Sequence, residues 1–362
     1  MQQHKSVVIK VGTKVITAPD GALDRDRIKD IVDQIADIQD KALKAILVTS
    51  GAIGAGMRLL GLKRRPSRLS ELQATASIGQ SHLMQVYSDY FRVRGYLSGQ
   101  ILLTQEDFND RKRYLNIKYT IQTLLDHNAI PIINENDTVS TDEIRCGDND
   151  RLAGLVSDLC QTAKLIILTD VDGLMDEDGR LINLVDDISP RIMRLARSSS
   201  CDLGTGGMAT KIEAARRALQ AGIECVIANG KKKGVIRNVM EGNSVGTLFR
   251  SGRIKLIARK RWIAFSSKPK GSVLVDTGAK DALSKGKRSL LASGILEVHG
   301  NFISGDVISV LDKNGKEFAR GLAGYSSLEL LKIKGLKTSQ IKSSLGYKGP
   351  DEVVHKDNLV IL

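Results

Sequence analysis

A loop rich in glycine and threonine runs directly into a helical pattern at residues 204–211. Glycines let the backbone approach a ligand closely, and the N-terminus of the following helix offers unpaired N–H donors and a partial positive charge. A lysine on the first helical turn can then reach a transferring phosphoryl group. The segment therefore favours a seat for nucleotide phosphates. It consists of Gly204, Thr205, Gly206, Gly207, Met208, Ala209, Thr210 and Lys211.

Two standard phosphate-binding patterns are missing from the sequence. Neither a Walker A loop nor the glycine-rich loop of protein kinases occurs anywhere in the 362 residues. A simpler interpretation of the loop is that its glycines only cap the helix predicted at 209–221. The loop alone leaves both interpretations open, so other segments must decide.

The first two strands that the sequence predicts end in residues suited to binding an anion. The first ends in Lys10, beside a glycine that leaves room for a phosphate, although many strand-end lysines only extend toward solvent. The second leads into Ser50 and Gly51, followed by Gly54 and Gly56, an order that does not fit the dinucleotide-binding fingerprint. A hydroxyl and helix-start N–H groups for an anion fit better, although Ser50 alone is also an ordinary helix cap.

Amides and carboxylates concentrate after the fourth predicted strand. Asn134 opens a polar loop that contains Asp137 and returns through Asp148 and Asn149 to Asp150 at the head of a helix. Carboxylates can hold an ammonium group, and an asparagine can donate to a carboxylate. The pattern indicates a site for a small polar ligand. A magnesium site and a solvated turn are the alternatives.

The fifth predicted strand closes with Thr169 and Asp170, which either line a nucleotide pocket or form a local turn.

Short β-branched runs alternate with amphipathic stretches through the first 250 residues. This alternation predicts an α/β fold with a mainly parallel sheet covered on both faces and ligands at the carboxyl ends of the strands. The predicted strands are 6–11, 45–49, 99–103, 130–134, 164–169 and 223–228, and the predicted helices are 24–40, 69–94, 113–126, 150–159 and 209–221.

Charge is distributed unevenly along the chain. Residues 251–362 hold 20 Lys and Arg against 10 Asp and Glu, so they carry +10 of the net charge of +13. This asymmetry predicts two domains with different electrostatic tasks. A basic domain also raises the alternative of RNA binding, although a single tryptophan and few other aromatics offer little for base stacking.

The four cysteines are widely spaced and the five histidines form no zinc-like pattern. No signal peptide or membrane span is recognisable in the sequence. We therefore expect a cytoplasmic protein without structural zinc and without a membrane partner.

Seven segments, in this order, resemble the glutamate 5-kinase family. The family has the amino acid kinase fold, a three-layer αβα sandwich, often followed by a small β-rich PUA domain. The resemblance implies ATP-dependent phosphorylation of the γ-carboxylate of L-glutamate in the first step of proline synthesis. The segments are Lys10–Thr13, Thr49–Ile53, Ile133–Asp137, Gly147–Asp150, Leu168–Gly173, Gly204–Lys211 and Met240–Phe249.

A PUA-like pattern of short strands and glycine turns follows, in segments such as Gly271–Ala279 and Val298–Val310. The expected organisation is a kinase domain at 1–255, a linker at 256–268, a PUA domain at 269–347 and a C-terminal tail at 348–362. For the basic second domain, a regulatory or oligomerisation role is the preferred interpretation over RNA binding.

The resemblance also implies a role for each matching residue. Lys10 and Lys211 would act on the phosphoryl group in flight, and Asp150 would orient them. Glutamate would lie against Ser50, Gly51, Asp137, Asp148 and Asn149. ATP would contact Lys10, Thr169, Asp170 and the segment formed by Thr205, Gly206, Gly207, Met208, Ala209, Thr210 and Lys211.

Mg²⁺ would accompany ATP, with no protein ligand named for it. The resemblance further implies a homo-oligomer, a dimer or a tetramer, with proline as feedback inhibitor and a glutamyl phosphate reductase as a candidate partner. A sister kinase acting on acetylglutamate, aspartate or UMP would share Lys10 and the sheet, and it remains the alternative at this stage.

Overall fold

The computed structural model describes residues 5–18, 21–139, 148–198, 207–250, 260, 262–266, 269–285 and 288–362. The chain divides into two compact units, residues 1–255 and 256–362. The first unit alternates strands and helices as its sequence pattern predicts. All the strands and helices listed from the sequence occur there, and each end lies within two residues of its predicted position.

The strands of the first unit are short, and several of them are buried along their whole length, as expected for a sheet covered on both faces. Its helices range from single turns to the 25 residues of α4. The strands are β1 Ser6–Val11, β2 Lys44–Thr49, β3 Ser98–Leu103, β4 Ile130–Glu135, β5 Lys164–Thr169, β6 Leu184–Val185, β7 Glu224–Asn229 and β8 Thr247–Phe249. The α-helices are α1 Thr13–Ile16, α2 Arg25–Asp40, α3 Ala52–Leu59, α4 Leu69–Val93, α5 Arg111–Asp126, α6 Asp148–Cys160, α7 Pro190–Ser198, α8 Met208–Gln220 and α9 Val235–Met240.

These strands form one eight-stranded sheet in the order β3-β4-β2-β1-β5-β7-β8-β6. Neighbouring strands run parallel except β7 and β8, which pair antiparallel. Strand β1 therefore lies inside the sheet, between β2 and β5. The carboxyl ends of β1, β2, β4 and β5 meet at one edge, which is where each predicted set of polar residues begins.

The period of two along a strand sends alternate side chains of β1 to opposite faces. Val7, Ile9 and Val11 belong to a core shared with α2, α4 and α9. Lys10 therefore projects to the other face, where α6 packs against β1 and α8 packs against α6. This arrangement of helices on both faces is the predicted three-layer sandwich.

Local capping fixes where several of these helices begin. The Asp24 carboxylate accepts a hydrogen bond from the Arg27 backbone N–H at 2.9 Å, and Asp110 caps α5 in the same way through Arg113 at 2.8 Å. Helix α8 differs, because no side chain among the described residues caps its start at Gly207.

Helices α3 and α4 cross at two glycines. A Cβ atom at Gly56 would lie 1.9 Å from the Thr75 carbonyl oxygen, and one at Gly79 would lie 1.8 Å from the Ala52 carbonyl oxygen. Both neighbours are backbone atoms, which cannot rotate away as a side chain would. The two helices consequently approach each other as closely as their main chains permit.

The second unit contains a five-stranded sheet in the order β10-β9-β11-β12-β13. Strands β9 and β11 pair parallel and the other neighbours pair antiparallel. The elements are β9 Gly271–Val275, α10 Thr277–Ser284, β10 Ile295–Gly300, β11 Val307–Leu311, β12 Glu317–Leu322, α11 Ser327–Ile333, α12 Thr338–Leu345 and β13 Leu359–Ile361.

Residues beyond 347 are part of this second unit. Strand β13 pairs with β12, and Val353, Val354 and Leu359 are buried in the same core as Val273 and Tyr325. Residues 262–266, inside the segment expected to be a linker, form a turn of π-helix whose Ala264 carbonyl accepts a hydrogen bond from Arg320 at 2.8 Å. The described part of the expected linker and the C-terminal residues therefore both pack on the β-rich unit.

The glycine crossing yields a stability prediction. We expect Gly56→Ala to lower the free energy of unfolding of the first unit by about 1–3 kcal/mol or more, because the added methyl group must push α3 and α4 apart. Gly54→Ala, on the same helix, is the control, since a Cβ atom there would make only ordinary contacts, the nearest at 3.7 Å. Urea unfolding followed by circular dichroism measures both, and equal stability of the two variants would contradict the close crossing.

Candidate active site

Lys10 reaches the site from the penultimate position of β1, with only 5% of its surface accessible. The residue after the strand is Gly12, where a Cβ atom would lie 3.6 Å from the Lys10 ammonium nitrogen. A glycine at this position keeps side-chain atoms away from that nitrogen.

Asp150 lies between two lysines. One carboxylate oxygen is 2.6 Å from the Lys10 Nζ atom, and the other is 3.2 Å from the Lys211 Nζ atom. The Thr210 hydroxyl donates to the same second oxygen at 2.8 Å, and it also lies 2.8 Å from the Gly207 carbonyl oxygen. Asp150 is completely buried and both lysines are nearly so. Residues from β1, α6 and α8 thus converge on one carboxylate.

The electrostatics of this cluster follow from its burial. Burial lowers the pKa of the Lys10 amine below its usual value of 10.5, and the nearby charge of Asp150 opposes this shift while that of Lys211 adds to it. Burial alone would raise the pKa of Asp150, but the charges of Lys10 and Lys211 outweigh it and hold the pKa of that carboxyl below its usual range. Two lysine side chains share a single carboxylate in this cluster, so it favours an additional anion.

The N-terminus of α8 extends the same site. Met208 is buried and Ala209 is half-buried, and Thr210 and Lys211 on the first turn both contact Asp150. Gly207 precedes this turn in an extended conformation. The predicted contacts Thr205 and Gly206 lie outside the described residues. The described half of the glycine-rich segment therefore carries its lysine into the cluster formed with Lys10.

A second set of charges lies at the end of β5. Thr169 is buried, and its hydroxyl donates to the Asp170 carboxylate at 3.2 Å. The Lys14 ammonium group is 3.2 Å from another oxygen of Asp170. Burial works to raise the pKa of Asp170, but the hydrogen bond from Lys14 and neighbouring donors lower it overall. This corner, next to β1 in the sheet, presents an anion and an exposed cation to the same strand edge.

Ser50 and Gly51 connect β2 to α3. The Ser50 backbone N–H donates to the Val11 carbonyl at 3.1 Å, which ties this turn to the end of β1. Gly51 has φ +108°, a conformation that strongly favours glycine, and it directly precedes α3. The turn therefore holds the predicted substrate-binding hydroxyl and the start of a helix at the same edge of the sheet.

The end of β4 carries a network of amides. Asn149 Nδ2 donates to Asn134 Oδ1 at 2.9 Å, and the Glu135 backbone N–H donates to both Asn134 Oδ1 and Asn149 Oδ1, at 2.9 and 3.1 Å. Asn134 Nδ2 donates to Gln80 Oε1 at 2.7 Å. Asn149 immediately precedes Asp150, so this network adjoins the lysine cluster along α6.

The remaining predicted residues are described in part. Asp137 is half-buried, two residues beyond the end of β4. Asp148 is the first residue of α6, and its side chain lies outside the described part of the structure. Gln80 and Lys14 were missed from the sequence. Gln80 occupies the buried face of α4 together with Leu83 and Tyr87, a pattern typical of an ordinary core helix, so no local signal distinguishes it.

Two further observations bear on partners. No helix among the described residues is both long and apolar enough to cross a membrane. Within the same residues, no group of three or more His, Cys, Asp or Glu side chains could hold a metal ion.

Comparison with known proteins places this geometry in a family. The amino acid kinase family model matches residues 5–229, and the PUA domain model matches residues 271–345. The solved structure of a carbamate kinase from Giardia lamblia, bound to AMP-PNP, superposes with a TM-score of 0.50 at 17% identity and covers 69% of this chain and 100% of its own. The class of protein is therefore an amino acid kinase with a C-terminal PUA domain.

Curated relatives narrow the assignment. Glutamate 5-kinase from Caldanaerobacter subterraneus subsp. tengcongensis is 48% identical over 98% of this chain and 97% of its own length. Glutamate 5-kinase from Moorella thermoacetica is 44% identical over 100% of this chain and 97% of its own length. The chain belongs to the amino acid kinase family and, within it, to the glutamate 5-kinases.

The buried cluster predicts an unusual pH dependence of stability. Asp150→Asn leaves two buried ammonium groups without their carboxylate, and we expect it to lower the free energy of unfolding at pH 7 by about 3 kcal/mol or more. Asp150 opposes the lowering of the Lys10 pKa by burial, so removing the carboxylate lowers that pKa further, and the folded state releases this proton before the unfolded state does. The deficit should therefore shrink as the pH rises toward 9.5.

Urea unfolding of the variant and the natural chain at pH 7 and 9.5 measures this deficit. Glu177→Gln is the matched control, because Glu177 pairs with Arg191 on the surface, at 2.8 Å, and should have little effect at either pH. A deficit for Asp150→Asn that stays constant or grows with pH would contradict the stabilisation of the Lys10 ammonium group by Asp150.

Proposed function

We infer that the protein transfers the γ-phosphoryl group of ATP to the γ-carboxylate of L-glutamate, which yields L-glutamyl 5-phosphate in the first step of proline synthesis. The observation that carries this inference is the buried cluster of Lys10, Asp150 and Lys211 at the strand ends of a glutamate 5-kinase family member. The sister-kinase alternative is not favoured, because full-length relatives carry the glutamate 5-kinase name.

The chemistry needs positioning and charge stabilisation more than proton transfer. A carboxylate oxygen of glutamate attacks the γ-phosphorus while the bond to the bridging oxygen of ADP breaks, and a carboxylate nucleophile needs no general base. Charge on the equatorial phosphoryl oxygens meets the two lysines. Asp150 keeps both lysine side chains on one side of the reacting centre.

Glutamate binds, in this proposal, at the edge formed by β2 and β4. Ser50 and Gly51 offer a hydroxyl and helix-start N–H groups to a carboxylate, and Asn149 offers an amide. Asp137 and Asp148 hold the α-ammonium group. Asn149 also links this pocket to the cluster, because Asp150 is the next residue of α6.

ATP binds at the ends of β5 and α8. Thr169 and Asp170 line the nucleotide side, and the segment from Thr205 to Lys211 receives the phosphates at the N-terminus of α8. Mg²⁺ would accompany ATP and supply positive charge to its phosphates, and no protein ligand is assigned to it.

Several properties of the whole protein belong to the same proposal. We place the activity in the cytoplasm, in a homo-oligomer inhibited by proline at the glutamate site or its neighbouring loop. The PUA domain serves regulation or assembly rather than RNA binding, and the labile acyl phosphate passes to a glutamyl phosphate reductase.

A trapping experiment tests the proposed reaction directly. The purified chain is incubated with ATP, Mg²⁺, L-glutamate and hydroxylamine, and we expect γ-glutamyl hydroxamate in an amount that depends on both substrates. Parallel reactions contain acetylglutamate or aspartate in place of glutamate. Hydroxamate from one of these, and none from glutamate, would move the function to a sister kinase.

The lysines yield a second, sharper prediction. Lys10→Met and Lys211→Met should each lower kcat by on the order of a hundredfold or more, since each removes a cation that meets transition-state charge. Each variant still folds, because the remaining lysine and Asp150 form a balanced buried pair. Lys29→Met, on the surface of α2, is the control. A folded Lys211→Met protein with near-normal turnover would remove Lys211 from the catalytic residues.

A further inference from the structure

Gln80 occupies a confined place between two segments of the proposed glutamate site. It follows Gly79, which lies against the Ala52 carbonyl at the start of α3, and it contacts Asn134 at the end of β4. Only 9% of the surface of Gln80 is accessible. Helix α4 thus inserts an uncharged amide between the turn that carries Ser50 and the strand end that leads to Asp137.

The orientation of this amide follows from a backbone donor. The Glu135 N–H can only donate, so the atom of Asn134 that it meets must be the oxygen. The Asn134 nitrogen is then the atom that faces Gln80, and Gln80 must present its oxygen in return. The same Glu135 N–H fixes the oxygen of Asn149, whose nitrogen donates back to Asn134. Each of the three hydrogen-bonded amides, Gln80, Asn134 and Asn149, therefore has one permitted orientation.

Within the described residues, this series of amide hydrogen bonds leaves the Gln80 nitrogen without a partner. The Nε2 atom is buried, and no acceptor among the described residues lies within hydrogen-bonding distance of it. A buried donor without an acceptor destabilises the folded state, so a purely structural role gives no reason for the Gln80 nitrogen. A glutamic acid side chain at position 80 would offer Asn134 the same acceptor, but it would add a buried charge whenever it ionised. Glutamine is thus the side chain that gives Asn134 an acceptor of that length without a charge.

We propose that Gln80 is a positioning residue for the amino acid substrate. It holds the Asn134 amide, which in turn holds the Asn149 side chain in the orientation that receives a glutamate carboxylate. The proposal rests on the proposed function, in which Asn149 contacts glutamate. It assigns Gln80 to the affinity for the amino acid and not to the nucleotide or to the stability of the fold.

The test uses Gln80→Met, an apolar variant of similar length. We expect the KM for glutamate to rise about tenfold or more, because Asn134 loses the acceptor that orients it. The KM for ATP should change less than twofold, and the melting temperature should change little, because one unpaired buried donor, the Gln80 nitrogen, is exchanged for another, the Asn134 nitrogen. Gln85→Met, at an exposed position of the same helix, should match the natural chain in all three measurements.

A double variant shows whether Gln80 affects the KM for glutamate through Asn134 or independently of it. If Gln80 acts through Asn134, adding Gln80→Met to Asn134→Ala should change the KM for glutamate less than twofold. A rise in KM that multiplies those of the two single variants would overturn the proposal, as would a single Gln80→Met variant with unchanged KM for glutamate or with both KM values raised equally.

Gln80→Glu provides a second variant if the methionine variant does not fold. It keeps the acceptor, so glutamate affinity should be close to normal at pH 5.5 and fall as the pH rises and the buried carboxyl ionises near an anionic substrate. A pH-independent KM ratio between this variant and the natural chain would overturn the proposal. Failure of the proposed function is distinguishable, because the natural chain itself would then form no γ-glutamyl hydroxamate.

Discussion

The buried carboxylate of Asp150 between two lysines is the interaction on which the site depends. Two ammonium groups at neutral pH cannot share an apolar environment without a counter-charge. Each partner comes from a different element, so the carboxylate also ties β1, α6 and α8 together at one point. The sheet order, with β1 inside and α6 packed on it, is the arrangement that makes this meeting possible.

The sheet and most of the site could be predicted because their signals are local. Strand β1 is a run of β-branched residues with a lysine at its end, and the parallel topology that follows from strand–helix alternation puts that lysine at the ligand edge. The glycines before helix α8 and the lysine on its first turn predict both its start and its place at the site. The pairing of Lys10 and Lys211 with Asp150 was expected from the family resemblance, and the structure brings the three side chains together.

Other features could not be predicted because they depend on contacts between distant segments. Gln80 is one of several buried residues on an amphipathic helix, and only its encounter with Asn134, 54 positions later, distinguishes it. Strand β13 has three residues, too few for a periodic pattern, and it is ordered because the edge of β12 lies beside it. Gly54 and Gly56 cannot be distinguished from the sequence, yet in the structure only Gly56 lies against the backbone of α4.

The crossing of α3 and α4 constrains how this part of the protein can evolve. Most tight contacts in a core join two side chains, so an enlargement on one side can be offset by a reduction on the other. At Gly56 and Gly79 the opposing atoms are carbonyl groups, which every amino acid carries. A larger residue at Gly56 or Gly79 therefore cannot be compensated by a smaller residue on the opposite helix. The turn at Ser50 and Gly51 leads into α3, so its position depends on a helix crossing that tolerates few substitutions.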